Sequence, residues 1–173
     1  MILTTERLHL REMTPDDFDA LRKVLADPAI MQHYPYTFDD TRVKGWIARN
    51  IDRYRIFGFG LWAVCLKETG EMIGDCGLTM QLIGDQIKPE IGYHIRADHQ
   101  RMGYATEAAK AVRDWAFENT PFNILYSYMK HTNTPSCKTA MAYGCRQVDE
   151  FPDEVNEITK VYALTREEWL KLR

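Results

Sequence analysis

No run of this chain is apolar over the ~18 residues that a membrane-crossing helix requires. Its four cysteines, Cys65, Cys76, Cys137 and Cys145, form no Cys-x-x-Cys pair, and no His-x-x-x-His spacing accompanies them. The common zinc patterns are therefore excluded, no metal is expected, and the thiols read as small buried or half-buried groups of a reducing compartment. The opening residues hold no uninterrupted apolar signal segment, because Glu6, Arg7, His9 and Arg11 break it. Nor is there an excess of positive charge. The formal net charge is -3 at pH 7, which predicts no general attraction to nucleic acid or to an anionic membrane. These absences point to a soluble, cytoplasmic protein. Linkers, repeats and low-complexity stretches are missing too, so residues 1–173 are expected to form one domain. What is present suits that expectation. Hydrophobic residues make up 45% and charged residues 27% of the 173, enough for a core without disulfides or a structural metal.

Periodicity orders the elements. Leu8 and Leu10 alternate with His9 and Arg11 as in a strand with one buried face. Thr14-Pro15-Asp16-Asp17 is a helix start, with Phe18, Leu21, Val24 and Leu25 at helical spacing behind it. A second helix is predicted from about Asp39, placing Val43, Trp46, Ile47, Ile51 and Tyr54 on one face. Leu61–Leu66 and Met72–Leu78 are short apolar runs around Lys67–Glu71, which predicts a hairpin. In the strand Glu90–Ile95, Ile91, Tyr93 and Ile95 share one face, while Glu90, Gly92 and His94 share the other. A helix from Gly103 buries Ala105, Ala108, Ala109, Val112, Trp115 and Ala116, and the strand Ile124–Met129 follows. A short helix then runs from Pro135 to about Tyr143, stopped by Gly144. Ile158–Leu164 is a late strand and Arg166–Leu172 a terminal helix. The fold class is α/β (α+β), a mixed sheet flanked by helices, with Glu90–Ile95 and Ile124–Met129 parallel across a crossover.

One turn carries chemistry. Gln100-Arg101-Met102-Gly103-Tyr104-Ala105-Thr106 joins a strand to a helix. A helix N-terminus exposes unpaired backbone N–H groups and partial positive charge, which together hold anions such as a pyrophosphate. Gly103 allows close backbone approach, Ala105 is small, and Arg101 adds a fixed charge. The loop lacks the lysine of a Walker loop and the three glycines of a dinucleotide fingerprint.

With these residues the chain resembles the GNAT superfamily of N-acetyltransferases, and most of all its ribosomal-protein N-terminal acetyltransferase branch. Thr5-Glu6-Arg7-Leu8-His9-Leu10-Arg11, Glu90-Ile91-Gly92-Tyr93, Gly103-Tyr104-Ala105-Thr106-Glu107-Ala108, Asn133-Thr134-Pro135-Ser136 and Gly144 occur in the family's order over nearly the whole chain. The resemblance implies a mostly antiparallel sheet whose parallel pair splays into a V-shaped cleft for acetyl-coenzyme A. It implies that the backbone of Tyr93, His94 and Ile95 meets the pantetheine amides and that residues Gln100 to Thr106 hold the pyrophosphate. It further places Asn133 on the pantetheine arm, Ser136 near the thioester sulfur and Lys138 toward the adenosine.

Acetyl transfer to an amine requires a neutral nucleophile. An α-amine titrates near ~8 and a lysine near ~10.4, so a general base helps at pH 7. Glu90 is the first candidate and His94, on the same strand face, the second. A backbone N–H near Tyr93 would hold the thioester oxygen. The tyrosine that many relatives carry seven residues after the asparagine is Ala140 here, and the resemblance offers Ser136 as the proton donor instead. Tyr143 is near in sequence, and Cys145 stands where an aromatic is usual. Cys137 lies beside Ser136, but no histidine is placed to activate it, so direct transfer is expected. The acceptor cleft is expected from Met31–Tyr36, Trp62 and Asp149–Glu154, aromatics and acids that suit a cationic amine: a peptide N-terminus, a polyamine-like molecule or an antibiotic. Two other readings use the same residues, a non-catalytic acyl-coenzyme A-binding regulatory module and a nucleotide-binding protein. Either a monomer or a homodimer is compatible with the chain.

Overall fold

A computed structural model describes residues 2–36 and 38–173. Among the described residues, eight strands form one sheet in the order β1-β2-β3-β4-β5-β6-β8-β7: β1 (Leu3–Thr4), β2 (Leu8–Arg11), β3 (Leu61–Leu66), β4 (Met72–Ile83), β5 (Gln86–Ile95), β6 (Ile124–Lys130), β7 (Arg146–Asp153) and β8 (Glu157–Thr165). All neighbours are antiparallel except β5 and β6, which are parallel and meet at the single register pair Glu90↔Tyr126. The helices are α1 (Phe18–Leu25), α2 (Pro28–Met31), α3 (Asp40–Phe57), α4 (Tyr104–Asn119), α5 (Thr134–Ala142) and α6 (Arg166–Leu170). This is the mixed sheet with one splayed parallel pair that the sequence led us to expect.

The elements form for local reasons. Asp39 caps α3 by accepting from the Arg42 N–H at 2.8 Å, and Gly58, at φ 77, ends it in the left-handed conformation. Helix α4 buries Ala108, Ala109, Val112, Ala116 and Phe117. The small alanines let α4 lie close on the sheet, and Trp62 and Trp115 fill the remaining space edge to face, their ring centroids 4.9 Å apart. Trp62 is fully buried there, so it belongs to the core and not to the acceptor cleft.

The hairpin of β4 and β5 is longer than hydrophobic runs suggest, extending from Met72 to Ile95 around Gly84-Asp85. Pro89 sits within β5 without penalty. Arg96 donates its N–H to Ile73 O, so even-numbered β5 residues bond toward β4. Odd-numbered residues face the opposite edge, where Pro89 lacks a donor at no cost to the hairpin. The acidic stretch Asp149–Asp153 is not a loop; it belongs to edge strand β7.

Helices cover both faces. Asp75 and His94 turn toward α3, where Trp46 Nε1 donates to Asp75 Oδ2 at 2.9 Å. On the other face Tyr93 reaches α5, donating its hydroxyl to Ser136 O at 2.8 Å, and Trp62 meets α4.

Candidate functional site

The gap between β5 and β6 is the centre of the site. Beyond Glu90↔Tyr126 the two strands no longer pair. A side-chain wedge stands in the gap: Ser127 donates its hydroxyl to Ile91 O at 2.6 Å, and the Tyr143 hydroxyl, 2.7 Å away, donates to Ser127 Oγ. Ser127 and Tyr143 are both buried, and burial pushes the Tyr143 phenol well up, so it remains a donor. Ile91 O faces β6, and by strand alternation the N–H and C=O of Tyr93 point the same way, into the gap. Ile95 O on that edge accepts from the Gln100 amide at 3.0 Å. The Tyr93 backbone is thus an open sheet edge of the kind that receives an extended chain of amides.

Around this gap lies a cavity of about 400 Å³, lined from both faces of the sheet. Glu90, His94 and Tyr128 come from one face, Tyr93 and Ser136 from the other, and Asn133 from the turn into α5. Glu90 accepts from the Thr79 hydroxyl at 3.2 Å. Burial pushes its carboxyl up to about 7, against the opposing pull of the Thr79 bond and of the His94 and Arg53 charges. A carboxyl at that value exchanges protons at neutral pH.

His94 stands in the cavity wall with both ring nitrogens engaged. Its Nδ1 lies 2.7 Å from Asp75 Oδ1 and its Nε2 lies 2.7 Å from the Tyr34 hydroxyl. Asp75 is fully buried and can only accept, so Nδ1 carries the proton and, in the neutral ring, Nε2 accepts from Tyr34. Burial alone would lower the His94 pKa, but the Asp75 carboxylate outweighs it and the net direction is up. Trp46 completes the set by bonding the second Asp75 oxygen. Tyr34 belongs to the segment expected to build the acceptor cleft, whereas Asp75 is a site residue that the sequence reading does not include. A carboxylate inside the apolar run Met72–Leu78 was the one available signal, because a buried charge requires a partner.

The loop after β5 leads into the N-terminus of α4. Gly103 has φ 82 and Arg101 φ 61. Among the described residues, the backbone N–H groups from Arg101 to Thr106 have no acceptor. Glu107, in the first turn of α4, would otherwise compete for these donors, but it faces the other way. It accepts from the Thr5 hydroxyl at 2.6 Å, from Arg7 N at 2.8 Å and from Arg7 Nε at 2.7 Å. Arg7 also donates to Met102 O at 2.9 Å, and its guanidinium lies 4.3 Å above the Tyr104 ring centre. The Thr5–Arg7 segment therefore braces the loop from behind and leaves its donors outward. Among the described residues no cluster of ligands suits a metal ion, and no helix is long and apolar enough to cross a membrane.

The remaining candidates fall as follows. Asn133 caps α5, its Oδ1 accepting from Ser136 N at 3.3 Å, and it lines the cavity. Ser136 lines the cavity, and Lys138 is exposed on α5. Cys137 is buried and does not line the cavity. Of the expected acceptor segments, Met31, His33, Tyr34, Pro35 and Tyr36 line it, as does Asp153, whereas Asp149 and Glu150 do not.

This geometry has relatives. The family model for the acetyltransferase (GNAT) domain matches residues 7–146. The uncharacterized N-acetyltransferase p20 of Bacillus licheniformis is 32% identical over 138 residues, covering 79% of this chain and 77% of its own. The solved structure of an acetyltransferase from Agrobacterium tumefaciens superposes with a TM-score of 0.82 at 32% identity, over 95% of this chain and 94% of that one. A ribosomal α-N-protein acetyltransferase in complex with coenzyme A shares the fold, with a TM-score of 0.77 at 17% identity over 95% of this chain and 97% of that one. Matched by the family model over residues 7–146 and by a relative 32% identical over 79% of its length, the chain belongs to the GNAT acetyltransferases, enzymes that use acetyl-coenzyme A.

Proposed function

We propose that this protein transfers the acetyl group of acetyl-coenzyme A directly to a primary amine held in the same cavity, with Glu90 as the general base. The observation that supports this best is that the gap passes through the sheet. It brings the Glu90 carboxyl, from one face, into a single cavity with the open Tyr93 edge and Ser136. Acetyl-coenzyme A supplies the activated acetyl thioester.

The residues divide the work. The open-edge backbone of Tyr93 and Ile95 aligns the pantetheine amides, while His94, whose N–H and C=O turn toward β4, holds that edge from behind. Asn133 steadies that arm, the donors from Arg101 to Thr106 take the pyrophosphate beside Gln100, and Lys138 faces the adenosine. Glu90 removes the proton from the amine nitrogen as that nitrogen forms the new bond to the acetyl carbon. Tyr93 N–H stabilises the negative charge that develops on the carbonyl oxygen. The carbon–sulfur bond breaks, and Ser136 supplies a proton to the sulfur. A thiol of pKa near ~8.5 leaves readily, so Ser136 contributes less than Glu90. His94 acts through Tyr34, whose hydroxyl it orients at the cavity wall.

Release of thiol from acetyl-coenzyme A in the presence of primary amines tests the assignment. Glu90→Gln is expected to lower kcat about 10²-fold at pH 7, the lower range for a lost general base, with coenzyme A binding retained. Wild-type turnover in that variant would remove Glu90 from the mechanism.

A further inference from the structure

The acceptor half of the cavity carries a charge pattern opposite to the one its composition suggests. Two carboxylates line the cavity, Glu90 and Asp153. Asp153 is fully engaged in its own turn: Oδ1 accepts from Val155 N at 2.7 Å and Asn156 N at 3.4 Å, and Oδ2 accepts from the Thr159 hydroxyl at 2.8 Å. Lys130 at the rim is paired with Glu157 at 3.1 Å. Two cations remain. Arg49 and Arg53, four residues apart on α3, both line the cavity, and among the described residues neither makes an ion pair.

Arg53 is held in place. Among the described residues its side chain has one hydrogen bond, donated to Asn50 Oδ1 at 3.1 Å. Asn50 is fully buried and fixed at both ends, donating to Trp46 O at 3.0 Å and accepting from Leu61 N at 2.9 Å. A half-buried guanidinium with five donors and one partner is a costly arrangement unless an anion completes it. Burial and the neighbouring Arg49 charge both depress the Arg53 pKa, which marks the same cost. The same cavity is lined by the aromatic rings of Tyr36, Phe38, Trp46 and Tyr128. A cavity of about 400 Å³ that must also admit the acetyl end of the cosubstrate leaves room for a small molecule.

We infer that the acceptor is a small amine bearing an anionic group, a carboxylate or a phosphate, received by Arg53 and Arg49 while its amine faces Glu90. Guanidinium groups bind either anion in a planar, two-pronged fashion. The inference rests on the acetyl-transfer reading above, and it disfavours diamines and polyamines, whose far end would meet the two arginines.

Matched acceptors of equal length decide the matter: ω-amino-carboxylates, aminoalkyl phosphates, uncharged alkylamines and α,ω-diamines, compared by kcat/KM for thiol release. The anionic members are expected to exceed the uncharged amines by about 10-fold or more, the range for hydrogen bonds to a charged group. Whether carboxylate or phosphate leads identifies the anion. Arg53→Ala and Arg49→Ala should each reduce that ratio toward one, mainly through KM. Among the described residues the Arg49 side chain makes no hydrogen bond, so its variant separates loss of recognition from loss of structure. Equal or better turnover of diamines or neutral peptide N-termini would overturn the inference alone, as would a ratio unmoved by both variants. If no amine is turned over while coenzyme A still raises the thermal midpoint, the acetyl-transfer reading fails and the acceptor class falls with it.

Discussion

At Glu90 a single carboxyl links the strand pattern to a pH profile. The alternation of Glu90–Ile95 already put Glu90 and His94 on one face, and both line the cavity. With its carboxyl at about 7, the base form increases through neutrality, so kcat/KM is expected to rise along a limb centred near pH 7 and to lose that limb in Glu90→Gln. His94 gives a stability signature instead. Its folded pKa is raised by Asp75, so the ion pair stabilises the fold fully below ~6.5 and the contribution is lost as pH rises through the folded value. Asp75→Asn should therefore cost about 3 kcal/mol in urea unfolding at pH 5.5 and less at pH 9. An equal cost at both pH values would mean that His94 stays neutral. Neither Asp75 nor Tyr34 could be matched to His94 from sequence. The register of β4 against β5 sets Asp75 opposite His94, and the segment after α2 brings Tyr34 onto the other ring nitrogen.

At the level of elements, the helices and the β3–β4 hairpin follow from periodicity because one buried face each imposes the period. What escaped that reading is where packing from a distant element decides. Trp62 looks like a cleft aromatic until Trp115 covers it. The acids of β7 look like a loop until β8 pairs with them. Arg49 and Arg53 look like a solvated helix face because nothing local says what lies opposite. The bracing of the α4 start is of the same non-local kind: Thr5 and Arg7 are about a hundred residues from Glu107. Arg7→Ala removes the bonds to Glu107 and Met102 and the cover over Tyr104. It is expected to raise KM for acetyl-coenzyme A about 10-fold with kcat little changed, since about 1.4 kcal/mol of loop positioning corresponds to that factor. A drop in kcat with unchanged KM would place Arg7 in some other role. Gly103→Ala meets both a positive φ and Arg7 Nη2 at 3.3 Å, and should cost about 1–2 kcal/mol of stability besides weakening the cosubstrate.

For the molecule as a whole, a ligand that binds only the folded state must raise the thermal midpoint. Free and acetylated coenzyme A, at 100 times their Kd, should each add about 2.7 kcal/mol, whereas ATP, which has no pantetheine to lie along Tyr93, should add far less. Equal shifts with ATP would reduce the site to a phosphate cradle. The wedge of Ser127 and Tyr143 makes this expectation specific. Two neighbouring strands in one sheet would ordinarily zip together, and here two hydroxyls prevent it by satisfying Ile91 with a side chain. The fold therefore forgoes a stretch of main-chain pairing that its own topology makes available. That forgone pairing is an unspent affinity: the sheet is left one strand short, and in the proposed reading the amides of the cosubstrate would take the missing place.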